Sequence, residues 1–127
     1  MLDEKAKDIL RAKSIAHVAL VDEKGRPHVS PVWVDVDPAG RLIINTAEGR
    51  VKARLLQVGT HVAISATHPD DPYRDTVVKG IVVQRTHEGA IEGINALSRK
   101  YRGRDFTELP DDQQRVHVLI EVRSSVS

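Results

Sequence analysis

Alternating apolar residues along six short segments constrain the fold of this chain more than any other feature. In the first segment, 15–22, Ala16, Val18 and Leu20 share one face, and aliphatic residues alternate in the same way along the last, 115–124. A period of two residues is that of a β-strand with one buried face. Seventeen valines, against one Phe, one Trp and one Met, favour the same pleated structure.

The other four strands are predicted at 27–37, 41–46, 61–68 and 76–87, and short helices at 2–13, 48–59 and 88–103. Tight turns at 23–27 and 37–40 predict that the first three strands form an antiparallel meander. The strand at 76–87 lacks a clean polar face, which indicates that both of its faces are covered. The expected fold is mainly β with short helices (α+β), a closed antiparallel sheet of six strands whose closure protects the strand edges.

Composition excludes several classes of function. The chain has 127 residues, which suits a single domain, 1–127. A formal net charge of +1 provides no global field for nucleic acid or an anionic membrane, so neither partner is expected. No signal peptide and no apolar run of ~20 residues stands out, so a cytoplasmic protein is expected. The absence of cysteine removes disulfides and thiolate chemistry.

The segment 45–55, NTAEGRVKARL, carries the clearest chemical signal. Arg50, Lys52 and Arg54 fall near the first turn of the predicted helix, where cations oppose the helix dipole. Unpaired amides, the flexible Gly49 and these cations together predict an anion site, most naturally for a phosphate. On an ideal helix Arg50 and Arg54 share a face and Lys52 lies about 200° away. A solvated basic face is the alternative explanation.

The longer stretch 25–56, GRPHVSPVWVDVDPAGRLIINTAEGRVKARLL, resembles the pyridoxamine-5′-phosphate-oxidase-like split-barrel superfamily. The shared features are a Pro-Val-Trp strand, a hairpin, a strand ending in Thr and an Arg-x-Lys helix start. Within the superfamily the chain is most similar to the deazaflavin (coenzyme F420)-dependent reductases, which the YRG at 101–103 and the acidic loop after it also fit. The resemblance covers essentially the whole chain and implies a six-stranded split β-barrel of the FMN-binding type.

The resemblance also implies a cofactor site. Arg50 and Lys52 would bind the cofactor phosphate, and Thr46 and the backbone near Ala47 would line the phosphate–ribityl path. The tricyclic ring would lie against or near a second group of residues: Val32, Trp33, Val34, Ile44 and Asn45. The cofactor would be coenzyme F420, with FMN as the alternative, and extra basic residues at the groove mouth would favour the polyglutamate tail of F420. Three residues are available for that role: Arg54, Lys100 and Arg102.

In this family the cofactor lies in a groove between two subunits, so a homodimer is expected. A barrel this small has little interior room for a tricyclic ring, which is a physical reason for the same arrangement. The expected contacts from the second chain are Lys79, Tyr101 and Arg102.

The activity implied is transfer of a hydride between the reduced ring and a small unsaturated or quinone-like substrate. The sequence identifies no catalytic residue; His28 and Tyr101 are candidate proton donors that have ordinary packing roles as alternatives. The six histidines show no metal-binding spacing and none stands out as a haem ligand, so no metal site is expected. Two alternatives stay open: an FMN-binding flavoprotein, and a catalytically silent dimeric binding module.

Overall fold

A curled antiparallel sheet forms the body of the protein in the computed structural model, which describes residues 2–127. The described strands are β1 (Ala16–Val21), β2 (Pro27–Val32), β3 (Asp35–Val36), β4 (Leu42–Ala47), β5 (His61–Thr67), β6 (Asp75–Thr86) and β7 (Arg115–Val126). The described helices are α1 (Glu4–Arg11), α2 (Val51–Leu55) and α3 (Ala90–Arg102). The strand order is β2-β1-β5-β6-β7-β4-β3. A mainly β chain with short helices is thereby confirmed, but the expected count of six strands is wrong, because residues 2–127 form seven.

The seventh strand arises because the predicted strand at 27–37 is two strands. β2 pairs with β1 and β3 pairs with β4, at opposite ends of the sheet. Since only Trp33 and Val34 separate them, the two edges come within about 11 Å of each other. The predicted meander is therefore wrong: two hairpins lie at the two edges of a sheet that curls into a half-barrel.

The hydrophobic core fills the concave side of this sheet. It consists of aliphatic residues that alternate along the strands, among them Val18, Leu42, Ile64, Val118 and Ile120. Helix α1 packs against β3, β5 and β6 through a face that includes buried Ile9 and Leu10. Its first turn is capped by Asp3, whose Oδ1 accepts a hydrogen bond of 2.8 Å from the Ala6 amide.

The convex side of β1, β2, β5 and β6, called the outer face below, is open in the single chain. Val29, Val21 and Val77 expose 65%, 60% and 44% of their surface there. Cross-strand pairing places exposed Pro31 and Lys79 on the same face. The expectation that both faces of the 76–87 strand are covered is therefore wrong for one chain.

The helices among residues 2–127 are short, and none is long and apolar enough to cross a membrane. The helix predicted at 48–59 is reduced to Val51–Leu55, and Gly59 does not cap it. The helix starts late because the backbone of Arg50 is extended, and at its C-terminal end Arg85 donates from Nη2 to the Ala53 carbonyl and from Nε to the Leu56 carbonyl, both at 2.9 Å. These side-chain bonds satisfy the carbonyl groups at the helix end.

Candidate functional site

A cleft of about 290 Å³ opens beside the crossing from β2 to β3. Most of its lining is apolar: Ile15, Pro31, Val32, Trp33, Ile94, Leu97 and Phe106. The polar lining comes from Asn45, Arg50, Lys52 and Arg115. A second cleft of about 250 Å³ also includes Arg50 and Lys52 in its lining, so these two cations lie between adjoining clefts.

Aromatic side chains form one wall of the first cleft. The ring of Trp33 stacks on Tyr101, with centroids 5.4 Å apart and planes 9° from parallel, and meets Phe106 edge-on at 6.1 Å. The Tyr101 hydroxyl donates to the Ser14 carbonyl and accepts from the Val34 amide at 3.2 Å. Because these bonds join α3 to the gap between the sheet edges, the aromatic wall is held in a fixed position.

Three cations reach the cleft without a counter-charge. Within residues 2–127, neither Arg50, Lys52 nor Arg115 forms an ion pair. Burial and the neighbouring Arg50 and Arg115 charges lower the pKa of Lys52, and burial with the nearby Arg50 lowers the pKa of Arg115 to about 10. Bringing such charges together out of water costs free energy, and an anion in the cleft would relieve that cost.

Arg115 is held by neutral groups. Only 5% of its surface is exposed. Its Nε donates to Asn45 Oδ1 at 3.0 Å and its Nη1 donates to Gln113 Oε1 at 3.3 Å. The guanidinium lies 5.2 Å from the centre of the Phe106 ring. Asn45 in turn donates from Nδ2 to the Ala90 carbonyl at 2.9 Å, so it fixes Arg115 relative to α3.

The segment that carries Arg50 and Lys52 is braced at both ends. Glu48 accepts bonds from Arg85 at 2.7 and 3.3 Å and contacts His87 Nε2 at 2.7 Å. Hydrogen bonds from Arg85 and His87 lower the pKa of Glu48, so this carboxylate stays ionised. Because Glu48 pairs with Arg85 and His87, it does not neutralise the cations of the cleft.

The structure brings five of the sequence-predicted residues to the cleft: Val32, Trp33, Asn45, Arg50 and Lys52. It does not bring Val34, Ile44, Thr46 or Ala47 there, since none of the four lines the cleft and each is buried. On β4, Thr46 points away from the cleft because successive strand residues face opposite sides. Its Oγ1 is buried without a hydrogen-bond partner among residues 2–127.

The expectation that Arg50 and Arg54 share a helix face is wrong. Arg50 precedes the helix with an extended backbone (φ −87°, ψ 150°), and Arg54 pairs with Glu23 at 2.8 Å. Because Arg50 lies outside the helix, the helical-wheel angle between it and Lys52 does not apply. The two cations that the wheel separated line the same cleft.

The residues expected from the second chain have different surroundings. Lys79 is exposed on the outer face. The Tyr101 hydroxyl forms its hydrogen bonds with Ser14 and Val34 of its own chain. Arg102 lies over Trp33, 5.1 Å from the ring centre, and pairs with Glu108 through two bonds of 3.0 Å. Lys100 is not at the cleft mouth, because its Nζ donates to the Leu10 and Val34 carbonyls.

His28, the other candidate proton donor, lines the second cleft and contacts Asp22 Oδ2 at 3.0 Å. Sequence reasoning missed Arg115 and Phe106. Arg115 begins a strand that also carries His117, Glu121 and Arg123, so no local signal marked it as a site residue. Phe106 lies in a loop and carries no periodic signal.

Comparisons with known proteins agree with this architecture. A solved structure described as an F420 reductase superposes with a TM-score of 0.85 at 26% identity, covering 98% of both chains. A conserved hypothetical protein from Mycobacterium tuberculosis gives 0.74 at 19% identity, covering 98% of this chain and 82% of its own. An FAD- and haem-binding protein from Mycobacterium smegmatis gives 0.70 at 18% identity, covering 96% and 67%. No curated protein matches the sequence.

The family model for pyridoxamine 5′-phosphate oxidase matches residues 2–124, nearly the whole chain. The curled sheet and the solved structures that share it agree with that match. The chain therefore belongs to the pyridoxamine 5′-phosphate oxidase family of split-barrel proteins.

Proposed function

We propose that the protein is an F420-dependent oxidoreductase that transfers a hydride between a reduced deazaflavin and a small unsaturated or quinone-like substrate. One observation carries the proposal: three cations without counter-charges meet an aromatic and aliphatic wall in one cleft. A planar ring joined to a phosphate has the matching chemistry. Similarity to a solved F420 reductase at 26% identity supports a deazaflavin as the ring.

In this proposal Arg50 and Lys52 bind the phosphate. Arg50 is exposed at the junction of the two clefts, where a strongly hydrated phosphate retains part of its water. The ring lies against Val32 and Trp33. Val34, Thr46 and Ala47 contribute through packing, because they are buried in or beside the strands that carry the lining residues.

When bound, the reduced deazaflavin supplies the hydride. The chain positions it through the rigid Trp33 wall and excludes water with the apolar Val32, Ile94 and Leu97. Among the residues of 2–127 that line the first cleft there is no carboxylate, histidine or tyrosine. In this proposal the proton that follows the hydride comes from solvent at the open mouth or from an acid of the partner subunit.

The active form is a homodimer joined through the outer face. Pro31 belongs both to that face and to the cleft lining, so a second copy packed there would wall the cleft. The exposed valines of the outer face gain burial in such a dimer. At about 290 Å³ the cleft of one chain lies at the lower limit for a ligand pocket, which supports completion by a partner. Lys79 is then available to contact the cofactor of the other subunit, whereas Tyr101 and Arg102 support Trp33 in their own chain.

An FMN-binding flavoprotein is the second candidate. The match to the pyridoxamine 5′-phosphate oxidase model supports it, since the same cleft chemistry suits a flavin phosphate. F420 and FMN differ in the ring, which is a deazaflavin in one and a flavin in the other, and in the tail beyond the phosphate, so direct comparison of the two ligands separates the candidates.

The test is an equilibrium titration of the purified protein with F420 and with FMN. We expect tighter binding of F420, and about a hundredfold or greater loss in an Arg50→Ala/Lys52→Ala variant, because charge-assisted bonds contribute about 1.5–3 kcal/mol each. Arg54→Ala is the matched control, since Arg54 belongs to the same segment but pairs with Glu23 outside the cleft. Preferential binding of FMN would favour the second candidate, and binding of neither would favour the silent module.

A further inference from the structure

Arg115 has the properties of a ligand-binding residue, and binding of the cofactor phosphate does not by itself account for its buried position. Its side chain is buried, with 5% of the residue exposed, while Arg50 at the mouth is exposed. No carboxylate of residues 2–127 pairs with it, and its two hydrogen bonds go to the neutral Asn45 and Gln113. A guanidinium left in this state at the wall of a cleft lacks an anionic partner.

The setting of Arg115 indicates which kind of anion it binds. A phosphate is strongly hydrated and suits the exposed mouth, whereas a charge spread over a ring is weakly hydrated and tolerates a dry environment. The guanidinium is itself planar and weakly hydrated, and it is flanked by the Phe106 ring. Its donors lie in a plane fixed by Asn45, an arrangement that matches adjacent acceptor atoms at the edge of a flat ring.

We infer that Arg115 binds the electron-rich pyrimidine edge of the cofactor ring, separately from the phosphate held by Arg50 and Lys52. This inference rests on the proposed function. Flavin and deazaflavin rings become anionic on losing a proton, and part of that charge resides on pyrimidine oxygen and nitrogen atoms. Arg115 accordingly favours the anionic ring over the neutral one, because a nearby cation stabilises the charged form.

The first test compares F420 with the same deazaflavin lacking the phosphate and the tail. Arg115→Met should weaken binding of both ligands by the same factor, about tenfold or more, whereas Arg50→Ala/Lys52→Ala should weaken F420 binding alone. Loss of F420 affinity with unchanged affinity for the phosphate-free ring would overturn the inference and assign Arg115 to the phosphate. Unchanged affinity for both ligands would overturn it as well.

The second test separates ring contact from a purely structural role. Ionisation of the bound ring is followed by its absorbance as pH is varied. The pKa of the ring should be about one unit lower in the wild type than in Arg115→Met, a tenfold preference for the anion, and Arg115→Lys should retain most of that shift. Equal ring pKa values in wild type and Arg115→Met would overturn the inference. Failure of the wild type to bind any deazaflavin would overturn the proposed function too, which distinguishes the two failures.

Discussion

Removal of one hydroxyl group, in Tyr101→Phe, tests how the gap between the two sheet edges is held. The hydroxyl donates to the Ser14 carbonyl and accepts from the Val34 amide, and both of those residues are 0% exposed. Phenylalanine keeps the ring that stacks on Trp33 but leaves these two backbone groups without that partner. An unsatisfied buried group costs about 1–3 kcal/mol, so the free energy of unfolding should fall by about 2–4 kcal/mol.

Urea denaturation measures this loss, with Trp33 fluorescence reporting the crossing and circular dichroism reporting the sheet. Tyr73→Phe is the matched control, because Tyr73 is 92% exposed and should change stability by less than ~0.5 kcal/mol. Burial also raises the pKa of Tyr101. As pH rises, the Tyr101 hydroxyl therefore loses its proton at a lower pH in the unfolded chain than in the folded one. The free energy of unfolding of the wild type should fall as pH rises above about 10, a decline that Tyr101→Phe lacks. Equal stability of the two Tyr→Phe variants would refute this account of the gap.

Three further substitutions probe the supports of the site. Burial lowers the pKa of Lys100 to about 8, so between about pH 8 and 10 the unfolded chain binds more protons than the folded one and the free energy of unfolding of the wild type should rise with pH. Denaturation of Lys100→Met at several pH values should lack that rise, and an identical dependence of stability on pH in the two proteins would contradict the assignment. Gly93→Ala should lower the melting temperature despite a helix-propensity gain of about 1 kcal/mol, because the new Cβ would overlap with His117 Nδ1. Gly93→Ala/His117→Ala should recover the loss, and a stabilised single variant would be inconsistent with this contact. Arg85→Met removes the bonds to the Ala53 and Leu56 carbonyls and should weaken F420 binding at least tenfold by titration, whereas unchanged affinity would exclude a bracing role.

The sequence predicts the sheet well because strand formation leaves a local pattern. Period-two alternation requires only neighbouring residues, so the extents of β1, β5 and β7 are close to those expected. The break between β2 and β3 depends on residues distant in the sequence. It is held by Tyr101 and Lys100, which bond to Val34 from 67 and 66 residues away. A pattern read over a few residues cannot contain that information.

In the candidate site too, the residues that are close in the sequence could be predicted and those brought together by folding could not. Arg50 and Lys52 could be found because they are clustered in one short segment beside a flexible glycine. Arg115 and Phe106 reach the cleft from β7 and from the loop before it, and only folding brings them to Trp33 and Asn45. The helical angle between Arg50 and Lys52 was misleading because Arg50 precedes α2 with an extended backbone, which the local sequence pattern did not indicate.

The central claim is that this cleft binds the ring of a redox cofactor, and the protein carries its own reporter of that event. Trp33 is the single tryptophan of the chain and lines the cleft. Titration with F420 should quench its fluorescence saturably, and Arg50→Ala/Lys52→Ala should need about a hundredfold more F420 for the same quenching. Trp33 emission unchanged at saturating F420 and FMN, in a protein shown to be folded, would contradict the account.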